Sequence, residues 1–391
     1  MPALCAMIQN ILGGNVIYLD YNATAPVSKE VFEASRPYLM QKFGNPSSAH
    51  QKGLEAKRAM QEARKQVAAA IGAQPEEIVF TSGGSESNNM VLKGIFLHPD
   101  DFCTGHLIIS CLEHAAITKP ARYLQQLGVE LTIIPCSPEG VVSPRDVAQH
   151  IRPDTRLVSI MHANNEIGTI QPIAEISEIC KQRQVPLHTD AAQSVGKTDV
   201  DVDRLGVDFL SIAGHKVYAP KGIGALYIRS GRSLQPLVQG VGHEGGYRAG
   251  TENVAYQVAL GTALQHMTEK GSAYQDRMAR QRDRLFTLLR QGIGEGLSQN
   301  GADVARLPNT LSVNFPKISG SVLLAKCPNI CASTSAACHS GQHTQTVTQK
   351  AIGLPPHIAT GTIRFSLGSQ TTDAEVEEAA HDLIRAWKQY A

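Results

Sequence analysis

A chain of 391 residues exceeds one small domain and suits two domains, or a large one with a smaller appendage. Its 42% hydrophobic and 18% charged residues are the balance of a globular protein with a sizeable core. A net charge of +1 offers no field to nucleic acid or an anionic membrane, and no apolar run approaches the ~20 residues that span a bilayer. The leading MPALCAMIQNILGG has no Arg or Lys, so it reads as neither a secretory signal nor an Arg-rich transit peptide, and the expected compartment is the cytoplasm. Eight cysteines (Cys5, Cys103, Cys111, Cys136, Cys180, Cys327, Cys331 and Cys338) are scattered rather than framework-like, which fits a reducing compartment.

In chain order, residues 49–71 place Ala56, Met60, Ala63, Val67, Ala70 and Ile71 on one helical face, with Gly72 as a stop signal. EEIVFTSGG follows as a buried strand entering a glycine turn. HLIISCLEH, LVSIMHANNE, VPLHTDAAQ, VDFLSIAGHK and GIGALYIR each read as a short apolar strand ending in polar residues. Helical stretches such as 173–184 separate several of them. That rhythm predicts an α/β fold with a mostly parallel sheet covered by helices. From about residue 268 the character changes: a long charged helix (about 269–297), the strand LPNTLSVNF, a Cys/Ser/Ala-rich loop, the strand TIRFSLG and a final amphipathic helix. The expected division is therefore an N-terminal segment 1–24 belonging to a small domain, a large domain 25–267, and a small α+β domain 268–391.

In open parallel sheets ligands sit beyond the carboxyl ends of the strands. Polar residues recur at those ends: 82–88, Glu113 and His114, 164–166, 190–193, and His215 and Lys216. Their recurrence points to one shared site.

Lys216, in AGHKVYAPKG, follows a strand and suits a desolvated amine able to form a Schiff base; taken alone it also reads as a surface lysine. Asp190, ending VPLHTD, suits either a carboxylate partner for a pyridine nitrogen or a cap of the following helix. In FTSGGSESN, Gly83, Gly84 and Ser85 expose backbone N–H groups at a helix start, a phosphate-holding arrangement that is neither the dinucleotide fingerprint nor a Walker loop. His114 suits ring stacking with proton transfer, or a satisfied structural histidine. Arg364, in TIRFSLG, suits a bidentate carboxylate contact or a structural ion pair.

Cys338 lies in CASTSAACHSGQHTQ, a small-residue run that suits an exposed loop carrying a nucleophile, with His339 next to it. The alternative is a metal site from Cys327, Cys331, Cys338, His339 and His343. Their spacing, C-x3-C-x6-C-H-x3-H, corresponds to no zinc motif, and Cys327 and Cys331 flank a strand start where burial is the simpler account, so no metal is expected.

Together these residues resemble the cysteine desulfurases, fold-type I pyridoxal 5′-phosphate (PLP) enzymes of the class-V aminotransferase type. The motifs DYNATAP, GNPSSAH, TSGGSESNN, HANNEIG, HTDAAQSVGK, GHK, RAGTENV, LPNTLSVNF and RFSLG occur in order across almost the whole chain. The resemblance implies a seven-stranded-type sheet with helices on both faces plus a smaller α+β domain. It implies that Lys216 carries PLP as a Schiff base, that Asp190 pairs with the pyridine nitrogen, and that Gln193 lies on the phenolic-oxygen side. It implies that His114 stacks on the ring and moves protons, and that Asn165 contacts cofactor and substrate. It implies that the phosphate is held by Gly84, Ser85 and His215, and by Thr251 from the second subunit of a homodimer. It implies that Arg364 and Asn22 fall on the substrate side, and that Cys338 carries a persulfide for a sulfur-acceptor or iron–sulfur scaffold protein. The implied reaction converts L-cysteine to L-alanine.

Two departures stand out. Ala213 occupies a position where many of these enzymes have a phosphate-binding serine, and the nucleophile loop reads STSAACHS rather than SSGSAC. Both features resemble the selenocysteine lyases, so L-selenocysteine is the alternative substrate. A PLP aminotransferase, sharing Lys216, Asp190 and Arg364 but not needing Cys338, and a catalytically silent scaffold or iron–sulfur-binding protein are more distant alternatives.

Overall fold

The structure is a computed structural model that describes residues 16–334 and 345–390. The chain divides into two compact units. A large unit comprises Thr24–Asn165 and Thr169–Gly271, and a small unit comprises Met1–Ala23, Glu166–Gly168 and Ser272–Ala391.

The large unit is built on one sheet of seven strands: β1 (Ile78–Thr81), β2 (His106–Ser110), β3 (Glu130–Ile134), β4 (Thr155–Ser159), β5 (Leu187–Asp190), β6 (Phe209–Ala213) and β7 (Gly224–Ile228). They lie side by side in the order β1-β7-β6-β5-β4-β2-β3. β7 runs antiparallel to its neighbours β1 and β6, while the pairings among β2 to β6 are parallel. Every residue of β1, β2, β5, β6 and β7 is buried, which is why β1, β2, β6 and β7 are mostly apolar instead of alternating, while β5, LHTD, buries the polar His188, Thr189 and Asp190. β3 was not singled out from the sequence. It is an edge strand with Glu130 and Ile133 exposed, so it lacks the apolar run that marks its neighbours.

Two buried histidines sit within this sheet, and each is satisfied. The ring nitrogens of His106 face the hydroxyls of Thr155 and Thr132, both at 2.8 Å. Those of His188 face Ser159 at 2.8 Å and Ser211 at 3.0 Å. Burial pushes the His188 imidazole down to about 3, so it is a neutral hydrogen-bonding link between strands.

The helix Gln51–Ala69 falls within the predicted 49–71 and buries Ala56, Ala63 and Val67, and Gly72 leaves it at φ 69°. The helices Gly84–Phe96 and Ala115–Gln126 share one core with the sheet, through Met90, Val91, Phe96, Ile117, Ala121 and Leu124 against Leu107, Ile109 and Phe209. The charged helix expected from about residue 269 instead belongs to a helical segment Val254–Ile293, interrupted at Gly271 with φ 54° and ψ −151°. The sequence change near 268 marks that interruption, where the large unit ends, rather than a helix start.

The small unit holds a four-stranded antiparallel sheet in the order Ser333–Thr334, Thr362–Ser366, Thr310–Asn314, Ser298–Gln299. Its core packs Leu311, Val313 and Phe365 against Leu285 and Leu289 and against Val376, Ala380 and Leu383 of the helix Asp373–Lys388. That helix starts on a capping box in which Thr372 and Glu375 satisfy each other's backbone N–H groups. Ile17–Tyr18 pairs in parallel with Ile330–Cys331. Cys327 is buried in the core, which pushes its thiol up to about 11, so it packs as a small hydrophobe. Cys5, Cys338, His339 and His343 lie outside the described residues. No helix among the described residues is long and apolar enough to cross a membrane.

Candidate active site

The carboxyl ends of β1, β5 and β6 assemble most of the sequence-predicted residues of the large unit. After β1 the chain turns through Gly83 (φ 150°) into the helix Gly84–Phe96, whose N-cap offers no side-chain acceptor to the first N–H groups. The turn is closely flanked. A Cβ built on Gly84 lies 3.4 Å from the Cβ of Ala213, at the end of β6, and 3.8 Å from that of Ala192, just after β5. Gly84, Ser85 and Ala213 are thus neighbours, and a hydroxyl at position 213 would stand beside the helix N-terminus.

Asp190 ends β5 and is 7% exposed. Its Oδ2 accepts from Asn88 Nδ2 at 2.7 Å and its Oδ1 from the Ala192 N–H at 3.0 Å. Asn88 comes from the helix Gly84–Phe96, so the element that opens with the phosphate-type turn also fixes the Asp190 carboxylate. Asn88 is a site residue that sequence reading grouped only as part of the polar cluster 82–88. The available signal was a buried amide one helical turn after Gly84.

Glu113 and His114 follow β2 and behave differently. Glu113 is buried; its Oε1 accepts from the Ser110 hydroxyl and, at 2.8 Å, from the Met161 N–H. Burial pushes its carboxyl up to about 8 against those hydrogen bonds, and the Asp190 charge adds to the rise, so the site favours its protonated form. His114 is exposed and caps the helix Ala115–Gln126, its Nδ1 accepting from the Ala116 N–H at 3.1 Å. That bond leaves Nε2 as the nitrogen of the neutral ring that bears hydrogen.

Beyond β6 a single turn of 3₁₀ helix, Gly214–Lys216, carries His215 and Lys216. The His215 carbonyl accepts from the Ala25 N–H at 2.8 Å, and its Nδ1 lies 3.2 Å from the Thr24 hydroxyl. Its imidazole is pushed down to about 4, first by burial and then by the positive charges of Lys216, Lys221 and Lys197. The end of β6 is therefore an electropositive place with a neutral imidazole in it, which suits an anion. Gln193, 6% exposed, accepts at Oε1 from Lys197 Nζ at 2.8 Å. Asn165 is half-buried on the turn after β4.

Thr251 is exposed on the loop that follows β7. Glu244 pins that loop at a left-handed φ of 48°. Its carboxylate is held by both Arg64 guanidinium N–H groups at 2.8 Å, by the Phe80 N–H of β1 at 2.8 Å, and by Gln257 Nε2 at 3.3 Å. The carboxylate is buried and the guanidinium partly so, and these four hydrogen bonds tie the loop to β1 and to the helix Gln51–Ala69. Arg248, on the same loop, donates to Glu86 at 3.0 Å.

The small unit has its own polar cluster. Arg364 Nη2 donates to Asp20 Oδ1 at 2.7 Å and to Ser333 Oγ at 3.1 Å, and Ser333 donates to Asp20 at 2.9 Å. Asn22 is buried, its Nδ2 donating to Thr310 at 2.8 Å and its Oδ1 accepting from Asn309 at 3.1 Å, so its amide ties the N-terminal segment to the strand Thr310–Asn314. Glu166, grouped from the sequence with Asn164 and Asn165, belongs to the small unit. It accepts from Thr346 at 2.7 Å and Thr348 at 3.1 Å, and its burial pushes the carboxyl up. Cys338 lies outside the described residues, but both flanks of its segment are fixed: Ser333 through strand pairing and Asp20, Thr346 through Glu166.

The donor set suits PLP: a helix N-terminus and electropositive turn for a phosphate, a buried carboxylate for a ring nitrogen, and an amine at a strand end. Comparison with known proteins agrees with this chemistry. The class-V aminotransferase family model matches residues 17–378. The chain is 44% identical over 362 residues to the cysteine desulfurase IscS of Dictyoglomus turgidum, covering 92% of this chain and 91% of that protein. A solved NifS-like protein superposes with a TM-score of 0.89 at 35% identity, over 96% of this chain and all of that one. SspA in complex with cysteine superposes with a TM-score of 0.79 at 38% identity, over 90% of this chain and 98% of that one. With the matching family model, relatives of this identity and the shared fold, the chain belongs to the cysteine desulfurases, PLP-dependent enzymes of the class-V aminotransferase family.

Proposed function

We propose that this protein takes sulfur from L-cysteine, releasing L-alanine and holding the sulfur as a persulfide on Cys338 for an acceptor or iron–sulfur scaffold protein. The observation that carries the reading is the clustering of Asp190, Gly84, Ser85 and His215 at the ends of β1, β5 and β6, with Lys216 on the same turn as His215. PLP, when bound, supplies the electron sink that labilises bonds at the substrate's α-carbon.

The residues divide the work by position. Gly84 and Ser85 N–H groups and His215 would hold the phosphate, and Asp190, fixed by Asn88, would hold a proton on the ring nitrogen. Gln193 would lie on the phenolic-oxygen side, and Asn165 would contact cofactor and substrate. The Lys216 amine would carry the cofactor and move the α-proton. His114 would stack on the ring and exchange a proton through Nε2. Arg364, its Nη2 oriented by Asp20 and Ser333, receives the substrate carboxylate, and Asn22 orders the segment that carries Asp20. The Cys338 thiolate attacks the substrate sulfur: the carbon–sulfur bond breaks, a sulfur–sulfur bond forms, and a proton goes to the former β-carbon of cysteine.

A second reading, selenium removal from L-selenocysteine, is favoured by Ala213 beside the phosphate turn and by the AACHS sequence. Initial rates of alanine formation on the two amino acids at matched concentration decide between them. Comparable rates on cysteine, with persulfide formed, are expected. Turnover confined to selenocysteine establishes the second reading.

The enzyme is proposed to work as a homodimer in the cytoplasm, with Thr251 reaching the phosphate of the other subunit. Supporting this are the exposure of Thr251 on a pinned loop and the exposed apolar Phe32, Leu39, Met40 and Phe43 of the large unit. Sedimentation of the holoprotein is expected to give a dimer; a fully active monomer refutes the shared phosphate site.

A further inference from the structure

Lys197 is a lysine with only 5% of its surface exposed, a costly location for an ammonium, and it is absent from the roles assigned above. It follows Gly196, whose φ of 75° lets the turn after β5 close against Val217 and Met267; a Cβ there would lie 3.2 Å from Val217 Cγ1. The turn thereby brings Lys197 Nζ to 2.8 Å from Gln193 Oε1 and within electrostatic reach of His215.

The chemistry of the pair fixes an orientation. An ammonium has three donors and no acceptor, so only the carbonyl end of the Gln193 amide can face it. The NH₂ end, which only donates, is then turned away from Lys197. An amide presenting N–H to an anionic oxygen stabilises it, whereas one presenting its own oxygen repels it.

We propose that Lys197 is a positioning residue that locks the Gln193 amide with its NH₂ toward the cofactor's phenolic oxygen, and so sets the proton affinity of the neighbouring Schiff-base nitrogen. The proposal rests on the reading that Gln193 lies on the phenolic-oxygen side. Without Lys197 the amide loses the donor that holds its carbonyl end away from the cofactor, the phenolic oxygen loses part of its hydrogen bond from the NH₂ end, and the nitrogen paired with that oxygen would hold its proton more tightly. The other charged or titratable groups of this region, His215, Lys216 and Lys221 on the adjoining turn and Asp190 at the strand end, stay in place.

The test uses purified holoprotein without substrate, reading the pH midpoint of the visible absorbance of the Lys216–cofactor Schiff base. K197M is expected to raise the midpoint by about one pH unit, the size of effect typical when a nearby hydrogen bond or charge is lost. K197R, which keeps a cationic donor, should restore most of the difference, and Q193L should raise the midpoint as K197M does. In the K197M/Q193L double variant the lysine substitution should add little, because its action runs through the amide. An unchanged midpoint in K197M overturns the proposal. A full K197M shift persisting in the Q193L background also overturns it, since the lysine then acts as a bare charge. An unshifted Q193L overturns the placement of Gln193 itself, and with it the proposal. If K197M does not fold, K197Q takes its place: a neutral donor of shorter reach should shift the midpoint in the same direction, and an unchanged value overturns the proposal.

Discussion

Lys216→Ala is expected to reduce alanine formation from cysteine at least about a thousandfold, because one amine is asked both to carry the cofactor and to move the α-proton. Positioned proton transfer alone contributes about 10²–10⁴-fold, and loss of covalent attachment adds to that. PLP itself should still bind, since the phosphate and ring-nitrogen contacts come from other residues: the Gly83 turn, His215 and Asp190. The variant should therefore retain bound cofactor while losing the covalent link. Borohydride reduction of the wild-type protein followed by peptide mapping should label Lys216. Lys221 is a meaningful control, because it lies five residues on and its charge reaches His215. A label on Lys221, or an active Lys216→Ala variant, sinks the assignment.

Cys338→Ser should leave cofactor binding intact and remove sulfur transfer from cysteine. The substitution nearly preserves shape, but a hydroxyl is scarcely ionised at neutral pH whereas a thiol is partly thiolate, and the thiolate is the nucleophile. Selenium release from selenocysteine should survive in part, because selenium leaves more readily without attack. The other C-terminal cysteines are poor substitutes. Cys327 is buried with its thiol pushed up to about 11, so it is almost fully protonated near neutrality. Cys331 is half-buried on the short strand Ile330–Cys331, whose backbone pairs with Ile17–Tyr18 and holds it in place. Cys327→Ser and Cys331→Ser should alter stability more than turnover. Mass spectrometry after one turnover without reductant should find the persulfide on Cys338. A persulfide on Cys327 or Cys331, or full cysteine turnover by Cys338→Ser, means that the nucleophile lies elsewhere.

The sequence by itself determined the strands and the turns that end them. A strand buried on both faces of a sheet must be apolar along its length, so β1, β2, β6 and β7 announce themselves as short apolar runs, and the polar residues that follow β1, β2 and β6 gather at the edge of the candidate site, whereas antiparallel β7 ends at the opposite edge. Where burial is partial the signal fades, as at edge strand β3. The change of composition near residue 268 was legible too, but not its meaning. Only the backbone shows a helical segment already running from Val254 and interrupted at Gly271.

What only the tertiary structure decided is how the chemical groups are held. Asn88 meets Asp190 across 102 residues, and Arg64 meets Glu244 across 180. No local periodicity encodes such pairings, because they arise when separate strands and helices converge. Glu166 stands next to Asn165 in the chain yet folds with the small unit and accepts hydrogen bonds from Thr346 and Thr348. Even the four-residue spacing of Gln193 and Lys197 was uninformative alone. The two side chains meet on a tight turn in which Gly196 is left-handed and leaves no room for a side chain beside Val217 and Met267.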